Sequence, residues 1–93
     1  MTDHENVGTG PLGGVRVLDV GTLIAGPFTA TLLGELGADV IKLEHPRGDS
    51  AREFGAQKDR KGIYWKILSR NKRCITLDLS KDEGQHLFLR LAE

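Results

Sequence analysis

The fold is decided by the stretch Val15-Arg-Val-Leu-Asp-Val-Gly-Thr-Leu-Ile-Ala-Gly-Pro-Phe28. Residues 15–20 are mostly apolar and predict a buried strand, and residues 21–26 predict a glycine turn. Pro27 suits the first position of a helix, where its missing N–H costs nothing. A second short apolar strand follows at residues 39–43, so the segment predicts a parallel βαβ unit with a right-handed crossover. The free amide groups at the start of such a helix favour phosphate-bearing ligands.

The rest of the chain continues the alternation of strands and helices. The first helix is predicted to turn one apolar stripe towards the core, made of Phe28, Leu32, Leu33 and Leu36. Residues 45–62 are charged and irregular, which is typical of a functional or mobile loop. One or two helical turns are predicted near residues 63–68, and a third strand at residues 74–78. Ser80, followed three residues later by Glu83, is typical of a helix start. The apolar residues 87, 88, 91 and 92 predict the core face of that last helix.

Charge and composition exclude several classes of protein. The 93 residues include 13 Lys plus Arg and 13 Asp plus Glu, so no net charge favours nucleic acid or an anionic membrane. No apolar run approaches the ~18 residues of a membrane span, and the N-terminus lacks the features of a secretory signal. A single cysteine allows no internal disulfide and favours a cytoplasmic location. We expect residues 1–13 to form a flexible polar tail and residues 14–93 to be the folded part.

The glycine turn departs from the common nucleotide-binding motifs. The spacing of Gly21 and Gly26 is that of a phosphate-binding P-loop, but Pro27 and Phe28 replace the Lys and Ser/Thr that this motif needs. The dinucleotide motif Gly-x-Gly-x-x-Gly is also missing. Glu44 ends the second strand near the position of a ribose-binding acid, although a strand-end carboxylate in solvent is the simpler interpretation.

Other polar residues have both a structural and a functional interpretation. The basic segment Arg70-Asn-Lys-Arg73 could hold phosphates or form a solvated turn. Asp19 and Asp78 could each act as a base, although a cap or loop hydrogen bond is commoner at a strand end. His45 follows the second strand, at the edge where ligands bind in open α/β folds. Cys74 is predicted to be a small buried residue, and no spacing indicates a metal site.

Six segments carry a resemblance to a known family, and they occur in order from residue 11 to the end of the chain. They are Pro11-Leu-Gly-Gly-Val-Arg-Val-Leu-Asp19, Ala25-Gly-Pro27, Leu36-Gly-Ala-Asp-Val-Ile-Lys-Leu-Glu44, Gly48-Asp49, Asn71-Lys-Arg-Cys-Ile-Thr-Leu-Asp-Leu79 and Glu83-Gly84. Together they resemble the N-terminus of family III CoA-transferases, the relatives of formyl-CoA transferase, carnitine CoA-transferase and α-methylacyl-CoA racemase. The resemblance implies that the chain is the N-terminal, incomplete part of a Rossmann-like α/β large domain. It also implies a smaller second domain and an interlocked homodimer.

The resemblance further implies a chemistry. Coenzyme A or acyl-CoA would bind to this domain as a substrate, with a carboxylic acid as the second substrate and no metal. The nucleophile would be an aspartate beyond residue 93, so no catalytic residue is expected in this chain. The CoA contacts carried over by position are Ile24, Ala25, His45, Leu77, Asp78, Leu79 and Ser80. Some relatives have an arginine at the place of His45, and a histidine makes that charge depend on pH. Some have a lysine at the place of Ser80.

Three interpretations of function remain open. The leading one is an N-terminal fragment of an acyl-CoA transferase that moves CoA between carboxylic acids through an aspartyl intermediate. An α-methylacyl-CoA racemase-like enzyme shares the same segments but needs an acid/base pair. The long segment through Tyr64 and Trp65 favours the transferase. Because the chain stops at Glu93 inside an apolar helical pattern, it could also be an inactive truncated product.

Overall fold

The computed structural model describes residues 9–93, which form a parallel three-stranded sheet, three α-helices and a small hairpin. The elements in chain order are β1 (Arg16–Asp19), α1 (Ala25–Glu35), β2 (Asp39–Glu44), a 3₁₀ turn (Ser50–Glu53), β3 (Gln57–Lys58), β4 (Lys61–Gly62), α2 (Ile63–Leu68), β5 (Lys72–Thr76) and α3 (Asp82–Ala92). The sheet order is β1-β2-β5 with parallel pairing throughout, which confirms the predicted α/β fold.

The central strand β2 is covered along most of its length. Its residues from Val40 to Glu44 are buried, as expected of a parallel strand with neighbours on both edges. In register, Leu18 of β1 lies opposite Ile41, and Ile41 lies opposite Arg73 of β5. Because the strands are parallel and in register, their carboxyl ends meet at a single edge of the sheet.

Helix α1 packs on this sheet through its small residues, so the predicted core-facing stripe is wrong. Its buried residues are Pro27, Ala30, Thr31 and Gly34. A side chain at Gly34 would begin 3.3 Å from Asn71 and 3.4 Å from Val40, which shows how closely the helix approaches the sheet. Phe28, Leu32 and Leu36 lie on the other side and are 48%, 44% and 46% exposed. Only Leu33, at the border between the two faces, is partly buried against the core.

The core is small and extends to the N-terminal residues that are described. Ala30, Ala38 and Val40 form its centre, and Leu12, Val17 and Leu33 pack around them. The amide of Leu12 also donates a hydrogen bond of 2.9 Å to the carbonyl of Leu36. Residues 1–8 of the expected tail lie outside the described residues.

The charged stretch that joins β2 to β5, residues 45–71, contains regular structure, and we call it the insertion. The 3₁₀ turn, the hairpin β3–β4 and helix α2 follow one another between β2 and β5. The predicted helical turns are confirmed as α2, which is joined to α1 by a 2.5 Å hydrogen bond from the Thr31 hydroxyl to the Leu68 carbonyl. In addition, the Phe54 and Tyr64 rings meet edge to face at 5.2 Å, so the insertion has its own aromatic contact.

The last strand and helix differ from the predicted pattern in three details. β5 begins at Lys72, two residues earlier than predicted, because Lys72 continues the register opposite Val40. Cys74 is exposed rather than buried, since β5 is the outer strand of the described sheet. The predicted helix start at Ser80 is wrong: α3 begins at Asp82 with Lys81 at its N-cap and without a side-chain cap. The Ser80 hydroxyl instead donates to Asp78 Oδ1 at 2.5 Å.

The core face predicted for α3 is only partly formed. Phe88 and Leu91 are partly buried, whereas Leu87 and Ala92 are exposed. Gly84 is the buried residue of the helix, where it packs against the turn that precedes α3. None of the helices within residues 9–93 has the length and apolar character needed to cross a membrane.

Candidate functional site

A groove of about 380 Å³ opens at the carboxyl edge of the sheet. We call it the carboxyl-edge groove. Its turn wall is residues 20–22 after β1, its loop wall is residues 48–50 after β2, and Leu77, Leu79 and Ser80 after β5 form the third side, together with Leu43 and His45. All three strands therefore contribute to it, as expected for a ligand site in an open parallel α/β sheet.

The glycine turn between β1 and α1 is held in shape by close backbone contact. A side chain at Gly21 would begin 3.0 Å from the Cα of Gly26, so the two glycines allow the ends of the turn to touch. Leu23 adopts a left-handed backbone with φ of 62°, and its carbonyl accepts a 2.8 Å hydrogen bond from the Tyr64 hydroxyl. The insertion thus braces the turn, a role that the sequence did not indicate for Tyr64.

The N-terminus of α1 is open to an anionic group. Ile24 at the N-cap makes no side-chain cap hydrogen bond, and the first turn contains no acidic residue. Ile24 is 55% exposed and Ala25 is also exposed. Both lie beside the carboxyl edge but outside the residues that line the groove.

Five of the seven residues carried over by resemblance lie together. His45, Leu77, Leu79 and Ser80 line the groove, and Asp78 Oδ1 is 3.7 Å from His45 Nε2. Both leucines face the groove because β5 ends at Thr76 and the chain then turns. Hydrogen bonds from the Ser80 hydroxyl and amide hold the pKa of Asp78 below its usual value. Asp78 is therefore an anionic acceptor at neutral pH.

Four buried charged side chains lie in and next to the walls of the groove, and the sequence did not indicate them as a group. They are Asp19, Lys42, Asp49 and Lys72, each with at most 4% of its side chain exposed. Lys72 Nζ donates to Asp19 Oδ2 and to the Pro27 carbonyl, both at 2.8 Å. Burial lowers the pKa of Lys72, and the hydrogen bond that Lys72 donates to Asp19 opposes that effect. The sequence did contain one indication of these buried charges, because Lys42 lies between Ile41 and Leu43 in an otherwise apolar strand.

Asp19 has a structural role that favours the loop-hydrogen-bond interpretation. Its Oδ1 accepts the amide of Gly21 at 3.1 Å, while Oδ2 is paired with Lys72. Both carboxylate oxygens are thus engaged within the protein, so Asp19 is poorly placed to act as a base.

Glu44 is neither a solvated carboxylate nor a free acceptor for a ribose, so both interpretations of it are wrong. It is buried and pairs through both oxygens with Arg52, whose Nη2 lies 2.8 Å from Oε1. Its Oε2 also accepts the amide of Asp49 at 2.7 Å. The hydrogen bond from Arg52 lowers the pKa of Glu44, against the opposing effect of burial. Arg52 in turn lies 4.3 Å from the centre of the Trp65 ring.

The basic side chains of the segment 70–73 are paired with carboxylates, and two of them, Arg70 and Arg73, remain exposed to solvent. Arg70 bonds to Glu35, and Arg73 bonds to Asp39 at 2.6 Å. Lys72 is buried with Asp19 as described above. Within residues 9–93, no three His, Cys, Asp or Glu side chains are grouped as metal ligands.

The chain is similar to known proteins in both sequence and structure. A model described as CoA-transferase family III matches residues 12–93. The β subunit of succinyl-CoA–L-malate CoA-transferase from Chloroflexus aurantiacus is 53% identical over 83 residues, which cover 87% of this chain and 20% of that protein. Succinyl-CoA:glutarate CoA-transferase from Mus musculus is 39% identical over 84 residues, which cover 88% of this chain and 19% of that protein.

Solved structures agree with these matches. The protein Rv3272 from Mycobacterium tuberculosis superposes with a TM-score of 0.80 at 38% identity, covering 90% of this chain and 23% of that one. A CaiB/BaiF family protein from Brucella suis gives a TM-score of 0.78 at 38% identity, and the match covers 88% of this chain and 23% of that one. The chain therefore spans about a fifth of the length of the curated relatives that it matches.

Proposed function

The chain belongs to CoA-transferase family III, and from this membership we propose that it forms a CoA-binding N-terminal part of an acyl-CoA transferase. The transferase would move CoA between carboxylic acids through an aspartyl intermediate. The observation that carries the proposal is the carboxyl-edge groove, which is built from the ends of all three parallel strands. Ligands of open α/β folds bind at this edge.

The residues of the groove suit the parts of CoA. Leu77 and Leu79 offer apolar contact to an adenine ring, while Asp78 is an acceptor for hydroxyl groups. The uncapped start of α1, with Ile24 and Ala25, would face the phosphates and the thiol arm. His45 Nδ1 accepts the Arg47 amide at 3.0 Å, so Nε2–H is the donor that the ring would offer near the nucleotide.

This chain would bind and orient the substrate rather than react with it. The family resemblance implies a nucleophilic aspartate that matches no residue of this chain, and Asp19 is engaged by Gly21 and Lys72. Asp78 is likewise held by Ser80. We therefore propose that carboxylic acid substrates and the homodimer partner meet the remainder of the protein.

Transfer is favoured over racemisation by two observations. The relatives reported above are named for transfer between succinyl-CoA and a second acid, L-malate or glutarate. The insertion through Tyr64 and Trp65 is present and braces the glycine turn. In a full-length parent, CoA exchange between two acids would support the transferase. Epimerisation at the carbon next to the thioester without an acceptor acid would contradict it.

Binding of CoA to the 93-residue chain tests the proposal. We expect calorimetry to detect CoA binding, and Ala25→Phe to weaken it by about tenfold (about 1.4 kcal/mol) by blocking the start of α1. Ala25 is exposed, so circular dichroism should stay unchanged. Ala92→Phe is the matched control, because Ala92 is exposed near the opposite edge of the sheet. The proposal fails if CoA does not bind, and the assignment of Ala25 fails if both variants bind equally well.

The 93-residue chain alone should show no catalytic turnover. Because the implied nucleophile is absent, we expect no exchange of CoA between two acids by the purified 93-residue chain. Detectable exchange in a preparation free of host enzyme would show that a nucleophile lies within these residues.

A further inference from the structure

Lys42 occupies an unusual place for a charged residue. It lies in the central strand β2, only 1% of its side chain is exposed, and its ammonium group reaches towards the carboxyl edge. Nζ donates a 2.5 Å hydrogen bond to the carbonyl of Gly21. It also pairs with Asp49 Oδ2 at 3.1 Å and lies 3.7 Å from Asp19 Oδ1. A lysine this buried costs free energy unless such partners surround it.

These partners belong to different walls of the carboxyl-edge groove. Gly21 is in the turn wall, and Asp49 is in the loop wall. Asp49 also shapes its own wall, because its Oδ1 accepts the amide of Ala51 at 2.8 Å and so begins the 3₁₀ turn. One ammonium group therefore connects two loops that are separated by 28 positions in sequence.

The choice of lysine follows from the geometry. An ammonium group is compact and has three donors, which match the carbonyl of Gly21 and the carboxylates of Asp49 and Asp19. Lys72 supplies the second positive charge, so two lysines balance two aspartates in a region closed to water. With an apolar residue at position 42, Lys72 would be the one cation left for the carboxylates of Asp19 and Asp49.

We propose that Lys42 is a positioning residue that ties the turn wall to the loop wall and thereby sets the width of the carboxyl-edge groove. Its side chain is closed to solvent, so it acts through Gly21 and Asp49 and does not touch a ligand. The proposal rests on the proposed function only for the identity of the ligand, because the connection between the walls exists without one.

Amide hydrogen exchange of the 93-residue chain, measured by NMR without ligand, tests the connection. In Asp49→Asn the Oδ1 acceptor of Ala51 is kept, but the charge that holds Lys42 is lost. The Gly21 amide in the other wall donates to Asp19 Oδ1, and we expect it to exchange about tenfold faster once Lys42 is no longer held between the two walls. Asp59→Asn is the matched control, since Asp59 is an exposed residue of the hairpin turn.

Two outcomes of this measurement overturn the proposal. In one, the Gly21 amide in Asp49→Asn exchanges at the wild-type rate. In the other, the amides of Ile41 and Leu43 in β2 accelerate by the same factor as Gly21, which would indicate general destabilisation. Acceleration confined to the two walls supports the proposal.

A ligand measurement adds a readout that is specific to the groove. Lys42→Met should weaken CoA binding by about tenfold (about 1.4 kcal/mol), whereas Lys66→Met at an exposed position of α2 should leave it unchanged. Equal CoA affinity in Lys42→Met and the wild type overturns the positioning role. If wild-type chain binds no CoA, the proposed function fails, and the exchange experiment still decides whether Lys42 connects the walls. If Lys42→Met does not fold, Asp49→Asn decides.

Discussion

At the scale of single residues, Arg52 connects the insertion to the sheet. Its guanidinium group bonds to both oxygens of Glu44 at the end of β2 and lies over the Trp65 ring of α2. The Glu44 side chain is 8% exposed and that of Arg52 is 47% exposed, so the pair lies at the margin of the buried region. Water screens part of the attraction between the two side chains. The pair therefore contributes to the stability of the fold about as much as a surface ion pair does.

The Arg52–Glu44 pair predicts a pH dependence of stability. The pKa of Glu44 is below its ordinary value of 4.5 in the folded chain, mainly because Arg52 donates to it. Its stabilisation is therefore present above about pH 4.5 and is lost as the pH falls through the lower folded pKa. We expect Arg52→Met to reduce the free energy of unfolding by about 1 kcal/mol at pH 7.

Urea titrations at pH 7 and in acid, at several pH values, would check this. The loss caused by Arg52→Met should shrink as Glu44 is protonated. Arg47→Met is a suitable control, because Arg47 is exposed and has no ion pair among the described residues. A loss for Arg52→Met that is the same at every pH would disprove the electrostatic account and leave the Trp65 contact as the cause.

Residue-level contacts were only partly predictable from the sequence. That His45 and Ser80 lie at strand ends follows from the pattern of apolar strands, and the structure brings both to one groove. Which charges pair could not be predicted, because Lys72 and Asp19 are 53 positions apart and meet only after the sheet has formed. For the same reason the sequence did not predict the ion pairs that Arg70, Lys72 and Arg73 form.

At the scale of elements, two local sequence signals were overridden, one by tertiary packing and the other by a competing local hydrogen bond. The i, i+4 spacing of Phe28, Leu32 and Leu36 is a true helical stripe, but the small residues of α1 have helical spacing as well. The sheet selects the small face because it allows closer approach. The Ser80 hydroxyl donates to Asp78 and does not cap the helix. Helix α3 therefore begins at Asp82 without the predicted cap.

Gly84 determines how α3 joins the turn before it. A side chain at this position would begin 1.9 Å from the carbonyl oxygen of Asp78. Alanine favours a helix over glycine by about 1 kcal/mol. Overpacking a site usually lowers the stability of a protein, and a clash with backbone at this distance should lower it by about 3 kcal/mol, the upper end of the usual range. The clash therefore outweighs the helix propensity, and Gly84→Ala should destabilise the chain by about 2 kcal/mol.

Chemical denaturation of Gly84→Ala checks this expectation. His86→Ala is the control, since His86 is an exposed residue of the same helix. It should change the free energy of unfolding by less than about 0.5 kcal/mol. An increase in stability for Gly84→Ala would show that α3 does not pack on the turn at Asp78.

At the scale of the whole molecule, the described chain leaves a long apolar surface uncovered. Ile24, Phe28, Leu32 and Leu36 recur every four residues along α1, and each is at least 44% exposed. Ile63 and Ile67 add exposed apolar area on the neighbouring helix α2. The structure has few large side chains in its core and several on its surface, which is the reverse of the usual arrangement in a soluble domain.

Such a surface predicts concentration-dependent self-association of the 93-residue chain. We expect light scattering after size exclusion to give a mass above the 10.2 kDa of the monomer, rising with concentration up to about 100 µM. Leu32→Lys should lower the mass towards the monomer, because it places a charge in the middle of the apolar stripe. Thr29→Lys adds the same charge at an exposed polar position of α1 and should leave the association unchanged. If the wild-type chain stays monomeric over that range, or if both lysine variants dissociate it equally, the apolar stripe is not the associating surface.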